Sequence, residues 1–309
     1  MKQSTTLKLL GALTATISLG VSLFTAYWVN EKMTSEALNS MRRVTVVLAE
    51  QTYSAFEVID AGMVRSVREI EHRFPRWMET NPHTLHDILA NDKVAMPQVR
   101  YLLTANDKAV VTALSHMDTL PDTHIDDRTY FTAHARTAAK AATGLYIGTA
   151  IIGRTTGEHI IPLSRRLDID GYFAGVLMAA LDANYFQRLY AKLYVPDHGA
   201  VYVTKSNNEV LAIYPDNTSI PTGLDYLSFT APVADYDLTV GMSVSLESIR
   251  EPWRPVVIVV VLSSLLSSIG IFVLVIFSTV NLEKYEYWDG LKKKAGWTPS
   301  VIPGGKDVR

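Results

Sequence analysis

The chain has 309 residues, with 29 Lys and Arg against 31 Asp and Glu, a net charge of −2 and no Cys. That balance leaves no basic surface for nucleic acid, and without thiolates there is neither a disulfide nor a zinc site built on Cys. No solenoid-period repeat and no low-complexity tract interrupts it.

The first element is a run from Leu9 to Val29, LLGALTATISLGVSLFTAYWV, uncharged and bracketed by Lys8 and Glu31. It is long enough to cross a hydrocarbon core of about 30 Å as a helix. It also exceeds the apolar core of a signal peptide, and no small-x-small site follows it, so we read it as an uncleaved anchor. Tyr27 and Trp28 stand where interfacial aromatics belong.

Beyond it, Met41, Val44, Leu48, Thr52, Ala55, Ile59, Met63, Val67, Ile70 and Phe74 recur in steps of three and four until Pro75. This is one stripe of a helix over 31–74, about 65 Å long at about 1.5 Å per residue. Gly62 would permit a bend. The stripe must pack on its own domain, and a partner helix from a second subunit is expected near the membrane, giving a homodimer.

His83 and His86 in HTLHD lie one turn apart beside Asp87. They could begin a metal site, but no second ligand pair has the spacing, and we expect exposed polar helix residues and no metal. VRYLLTANDKAVVTAL then gives a hairpin about Asn106-Asp107-Lys108. EHIIPLSRRL and GYFAGVLMAAL give a longer one about DIDG, and GAVYVTKS, LAIYP, YLSFTAP and YDLTVGMSV supply the strands of a third group.

Within GLYIGTAIIGRTTG, Gly148, Gly153, Arg154 and Thr155 reproduce the G-x-x-x-x-G-K-[ST] spacing of a phosphate-binding loop, with Arg in place of Lys. The missing Lys and a poor helix start after Thr155-Thr156-Gly157 argue against phosphate. So does topology, because a second charge-free run, Val256 to Val280 with Trp253 before it, closes the region. Lys2 and Lys8 precede the first span, and Lys284, Lys292, Lys293, Lys294, Lys306 and Arg309 follow the second. Both ends therefore belong in the cytoplasm and residues 30–255 outside, in the periplasm of a Gram-negative cell, away from ATP.

An external pocket for amino acids or carboxylates needs a guanidinium fork and aromatic walls, with an acid if the ligand carries an amine. The candidate ligand-binding residues are Arg128, Tyr130 and Phe131 of DDRTYF, Tyr146, Arg154 and Asp182. Each has a duller role. Asp182 precedes ANYFQRLYAKL and could cap that helix; Arg128 could pair with Asp126 or Asp127; the aromatics could be core. Of Arg154, Arg165 and Arg166 at least one should face solvent.

DDRTYFTAHA, GLYIGTAIIGRTTGEHIIPLSRRL and GYFAGVLMAALDANYFQRLY, in that order over residues 126–190, resemble the double Cache, or PDC-type, extracytoplasmic sensor domains of bacterial chemoreceptors, sensor kinases and diguanylate cyclases. The long helix, two sheets and closing span extend the likeness over residues 9–280. The resemblance implies an α+β fold: a long N-terminal helix with two successive antiparallel-sheet, PAS-like modules, flanked by two transmembrane helices. It divides the chain into a cytoplasmic 1–8, a span 9–29, a stalk helix 30–75, a membrane-distal ligand-binding module 76–194, a membrane-proximal module 195–250, a span 256–280 and a cytoplasmic tail 281–309.

In amino-acid-binding members the pattern is Tyr, Arg five residues on, Trp-Tyr, a further Tyr and an Asp. Here Arg128 matches the Arg, Tyr130 and Phe131 stand for Trp-Tyr, Tyr146 and Asp182 fit the last two, and the first Tyr is replaced by Thr123. A carboxylate, another metabolite or a divergent amino acid all remain open. No G-x-S-x-G, H-E-x-x-H or Cys nucleophile marks an enzyme, and no cofactor is implied.

The expected function is a membrane-anchored sensor that binds a small metabolite and signals to a separate cytoplasmic protein. The tail of residues 281–309 is too short for a HAMP, kinase or cyclase domain. The alternative is a scaffold, or the input half of a truncated receptor.

Overall fold

The computed structural model describes residues 3–73, 81–120, 123–136, 144–192, 198–216 and 219–294. Phe74, Pro75 and the tail beyond residue 294 lie outside them. The architecture is α+β, with an apolar helix at each end, a long N-terminal helix and two antiparallel sheets. It divides into two compact units, Glu36–Ile249 and the pair of segments Met1–Ser35 and Arg250–Arg309.

The second unit is a pair of antiparallel helical segments, from the start of α1 (Gln3–Arg73) and from α6 (Arg254–Lys294). At Gly11 they approach closely, since a Cβ added there would lie 2.4 Å from Val275. A side chain at position 11 would push the helices apart. Lys8 and Glu283 sit 3.9 Å apart, and Ala26, Val29 and Met33 share a groove with Trp253, Val257 and Ile258. The remaining apolar side chains, among them Leu23, Phe24, Leu266 and Phe272, point outward, and both helices are long and apolar enough to cross a membrane.

In the larger unit, the α1 stripe does what its period demands. Met41, Leu48, Thr52, Ala55, Ile59, Met63 and Ile70 are buried. The helix runs uninterrupted through Gly62, which admits Met96, whose Sδ would stand 2.7 Å from an added Cβ. After α2 (Pro82–Val94), which begins at the Asn81 cap, the first sheet runs in the order β2-β1-β6-β5-β3, with β4 also on β5. Its strands are β1 (Val99–Asn106), β2 (Val111–Leu114), β3 (Tyr146–Ile147), β4 (Ile151–Ile152), β5 (His159–Ile169) and β6 (Tyr172–Asp182), with α3 (Thr129–Ala135) between β2 and β3. The β5–β6 turn places Asp170 and Gly171 at φ 55° and 81°. Two successive positive φ values match the twist of a tight hairpin, which Asp-Gly tolerates.

The alternation of β5 and β6 feeds two separate cores. Ile161, Leu163, Leu167, Leu177 and Leu181 join α1, while Ile160, Val176 and Met178 join Tyr130 and Phe131 of α3. A strand covered on both faces is apolar at nearly every position, which is why β6 reads as a continuous run.

After α4 (Asn184–Tyr190), the second sheet is ordered β8-β7-β10-β9, from β7 (Ala200–Lys205), β8 (Val210–Tyr214), β9 (Tyr226–Val233) and β10 (Leu238–Ser245), and α5 (Leu246–Arg250) follows it. Val201, Val203, Val240 and Val244 share the α1 core with the first sheet. Phe56 of α1 stacks on Phe186 of α4 at 5.9 Å and meets Tyr236 at 5.4 Å.

Candidate ligand-binding site

Arg128 is the extended residue that opens α3, at φ −80° and ψ 131°, with its N–H on Ile125 O at 3.0 Å. Tyr130 and Phe131 then diverge, because successive helical residues are about 100° apart. Tyr130 turns into a small cavity between α3 and the sheet. Phe131 goes elsewhere, meeting Phe173 edge-on at 5.6 Å.

Ser164 of β5 holds α3 in place. Its hydroxyl donates to Tyr130 O at 2.9 Å and lies 3.0 Å from His134 Nε2. With its one proton committed to the carbonyl, the hydroxyl accepts from His134, which assigns the imidazole the Nε2–H tautomer. Burial lowers the His134 pKa and keeps the ring neutral. Arg166 adds a bond to His134 O at 2.9 Å, pairs with Asp168 at 2.6 Å and lies over the Phe173 ring. Its neighbour Arg165 faces the other way and takes Asp60 of α1 in a bidentate pair at 2.6 and 2.9 Å. Of the three arginines tied to the strands, Arg154 is the exposed one.

The cavity is walled by Leu103, Ile125, Ile151, Ile160 and Met178, with Tyr101, Thr123, Tyr130, Arg128, Arg154 and Thr155 as its polar members. Its volume is about 10 Å³, room for about one water. Arg154 closes the mouth, pairing with Asp127 at 2.6 Å and donating to His124 O. That hydrogen bond holds the Asp127 carboxyl below its ordinary value. Arg128 gives one 3.4 Å hydrogen bond, to Ile152 O, and does not take the Asp127 partnership open to it in the sequence. Burial raises the Tyr130 pKa, so its phenol remains a donor.

The phosphate-loop spacing has a structural explanation. Gly153 accepts the Gly157 N–H and donates to Glu158 O, both at 2.8 Å, closing a turn whose Gly157 adopts φ 69°. A strand follows, not a helix. A Cβ at Gly153 would stand 2.9 Å from the Tyr101 hydroxyl, so this glycine lets the turn approach the cavity wall.

Tyr146 and Asp182 sit away from the cavity lining. Tyr146 pairs with Ser164 across β3 and β5, edge-on to His134 at 6.2 Å and beneath Lys205 at 5.8 Å. Asp182 accepts Asn184 N–H at 3.0 Å at the start of α4, the capping role its position allows. It also takes Arg100 at 2.9 Å and Arg188 at 2.6 Å, and Arg100 pairs with Glu158 as well. Burial would raise the Asp182 pKa, but the Arg188, Arg100 and Asn184 hydrogen bonds outweigh it and lower it. The structure thus brings Arg128, Tyr130 and Arg154 together and leaves Phe131, Tyr146 and Asp182 in other contacts.

Tyr101, Thr123 and Thr155 are the polar cavity residues absent from the sequence-derived candidates. Tyr101 shares the β1 face of Leu103 and Ala105, and period two gives that grouping; only α3 and the 153–157 turn make it a cavity wall. His83 pairs with Asp118 and His86 with Leu114 O, both at 2.6 Å. Among the described residues no three His, Cys, Asp or Glu gather as metal ligands.

No protein-family model matches the sequence, and neither does any curated protein. Solved structures do. The sensory domain of the Campylobacter jejuni chemoreceptor Tlp3 with isoleucine bound is 14% identical, with a TM-score of 0.56 over 72% of this chain and 98% of that one. An extracellular domain assigned to the histidine kinase rpHK1S-Z16 is 21% identical, with a TM-score of 0.58 over 71% and 99%. The chain has the double-Cache fold. The ligand-binding domain of the Pseudomonas fluorescens chemoreceptor CtaA in complex with L-serine, 13% identical at a TM-score of 0.54 over 69% and 98%, shares that fold. Within this fold the six-stranded sheet carries the cavity, and α1 is tied to the same sheet by Asp60.

Proposed function

We propose that the chain is a two-pass sensor of the cell membrane, with residues 30–255 outside, that binds a small carboxylate or amino-acid-like metabolite. The site is the cavity of Arg128, Tyr130 and Arg154, in a membrane-distal module of about residues 76–194, with 195–250 as the proximal module. The observation that carries this reading is two guanidinium groups at the mouth of an otherwise apolar, phenol-bearing cavity, an arrangement suited to a carboxylate with a hydrocarbon body. The sensory domains that share the fold, with isoleucine and L-serine as ligands in two of them, support it.

A metabolite is larger than about 10 Å³, so entry requires the Arg154–Asp127 clasp to part. That pair is the accessible one, with side chains 39% and 58% exposed, so water competes for both partners and screens their attraction. The clasp therefore costs little to open.

Signal output passes to a separate cytoplasmic protein through α1 and α6. The homodimer forms on the outer face of α1, where Val46, Val47 and Val58 are exposed between two grooves, of about 500 and 300 Å³. A second reading, a receptor half whose pocket no longer takes a ligand, is favoured by the small cavity volume.

One experiment separates them. The full chain in micelles is screened by thermal shift against amino acids, organic acids, amines and purines. A ligand at about 100 times its Kd adds about 2.7 kcal/mol of stability. A binder whose shift is lost in Arg128→Ala supports the sensor. A silent screen sinks it and leaves the scaffold.

A further inference from the structure

Arg154 is hydrogen-bonded to Asp127 at 2.6 Å, while Arg128 holds only a long 3.4 Å bond to a peptide oxygen. Arg128 is left without a hydrogen-bonded carboxylate, and no acid lines the cavity among the described residues.

The acid that an amino-acid ligand would need is committed elsewhere. Asp182, the candidate partner for an ammonium, accepts from Arg100, Arg188 and the Asn184 N–H. Leu103, Ile125, Ile151, Ile160 and Met178 offer hydrocarbon. Thr155 adds a hydroxyl Oγ1 that is covered and has no hydrogen-bond partner, and Tyr130 adds a phenol.

Resting on the sensor reading, we propose that this site takes an aliphatic monocarboxylate without an amine, of the 2-oxo or 2-hydroxy acid class, and rejects the amino acid of the same carbon skeleton. Arg128 receives the carboxylate as a two-pronged donor. Thr155 and Tyr130 serve the 2-oxygen, for which both are donors. The hydrocarbon walls take the chain.

An α-ammonium placed there faces two guanidinium groups, with no carboxylate free to receive it. Burying a charged donor without an acceptor is costly, and sites discriminate strongly against a group they leave unpaired.

The test measures binding to the full chain in micelles by calorimetry, using matched pairs: 4-methyl-2-oxopentanoate against L-leucine and 3-methyl-2-oxobutanoate against L-valine. The oxo acid of each pair is expected to bind at least about tenfold more tightly than its amino acid. Arg128→Gln should weaken the oxo acid by about tenfold or more, and Thr155→Val by several-fold. Thermal midpoints of the variants, measured without ligand, report whether each still folds, and Arg128→Lys replaces Arg128→Gln if it does not.

An amino acid that binds as tightly as its oxo acid overturns the proposal and leaves the sensor reading standing. So does a purine or an amine as the only binder in the broad screen. If neither member of either pair binds at about 10 mM, where even a complex worth about 4 kcal/mol is seen, this proposal fails. The sensor reading fails with it only if the broad screen is also silent.

Discussion

The two sheets share one core and differ in what covers their other face. In the six-stranded sheet, odd residues of β5 join α1, and even residues meet α3, a layer that carries Tyr130, His134 and the Arg128 cap. In the four-stranded sheet the second face is filled by its own residues. The Tyr202 ring lies across Gly241, where an added Cβ would stand 2.2 Å from it, and Ser243 bonds to Ser228 and Pro221 O. A covering helix with a strapping turn leaves a cavity that can be lined with charge; a ring laid flat on a glycine leaves none. The candidate site belongs to the first sheet because, among the described residues, that sheet has the extra layer.

The largest effect should come where the two sheets meet. Phe186 is fully buried between α1 and both sheets, and Phe186→Ala should cost about 3–5 kcal/mol. Chemical denaturation measures this. A loss below about 1 kcal/mol would mean that the sheets do not share a core.

Gly241→Ala should cost about 1–3 kcal/mol by lifting the Tyr202 ring, with ligand affinity untouched. Changed affinity at constant fold would break the division of labour between the sheets. Arg165→Ala removes the tie between β5 and Asp60 of α1, whose side chains are 17% and 22% exposed. It should cost about 1–2 kcal/mol, less than a fully buried pair because solvent screens part of the interaction. A double-mutant cycle with Asp60→Ala measures the coupling.

Acid should act more gently and on the first sheet. Burial lowers the pKa of His134 below its ordinary 6.5, and burial does the same for His116. The unfolded chain therefore binds protons first as pH falls below 6.5. The stability that rests on neutral rings is complete above that value and is lost as pH falls toward the lowered pKa values. Thermal midpoints should drop on acidification through this range, and His134→Gln should flatten part of the slope. The smallest effect belongs to the exposed His83–Asp118 pair: Asp118→Asn should change stability by about 0.5 kcal/mol or less in the same melts.

Much of the fold was legible because it is periodic. The spacing of Met41 through Ile70 marked one helical face, and Asp170-Gly171 marked a tight hairpin because that pair tolerates two successive positive φ values. The candidate site was legible in part. Arg128 and Tyr130 lie within one short segment, and Arg154 was noticed through a glycine spacing that turned out to mark a turn. Phe131 was grouped with Tyr130 by adjacency, and a helix separates adjacent residues. Asp182 was read as a cap, and it accepts the Asn184 N–H from one residue before the N-cap Ala183, but Arg100 lies 82 positions away, and no local pattern pairs them.

The sequence by itself determined two apolar runs long enough to span a membrane, a long amphipathic helix between them and the order of the strands, because each follows from residue type and spacing along the chain. Tertiary structure decided which side of each strand is covered, which carboxylate each arginine takes, and so which arginine at the cavity is left without a hydrogen-bonded one. Those outcomes depend on groups far apart in sequence competing for the same partner in space, and only the folded chain sets their distances.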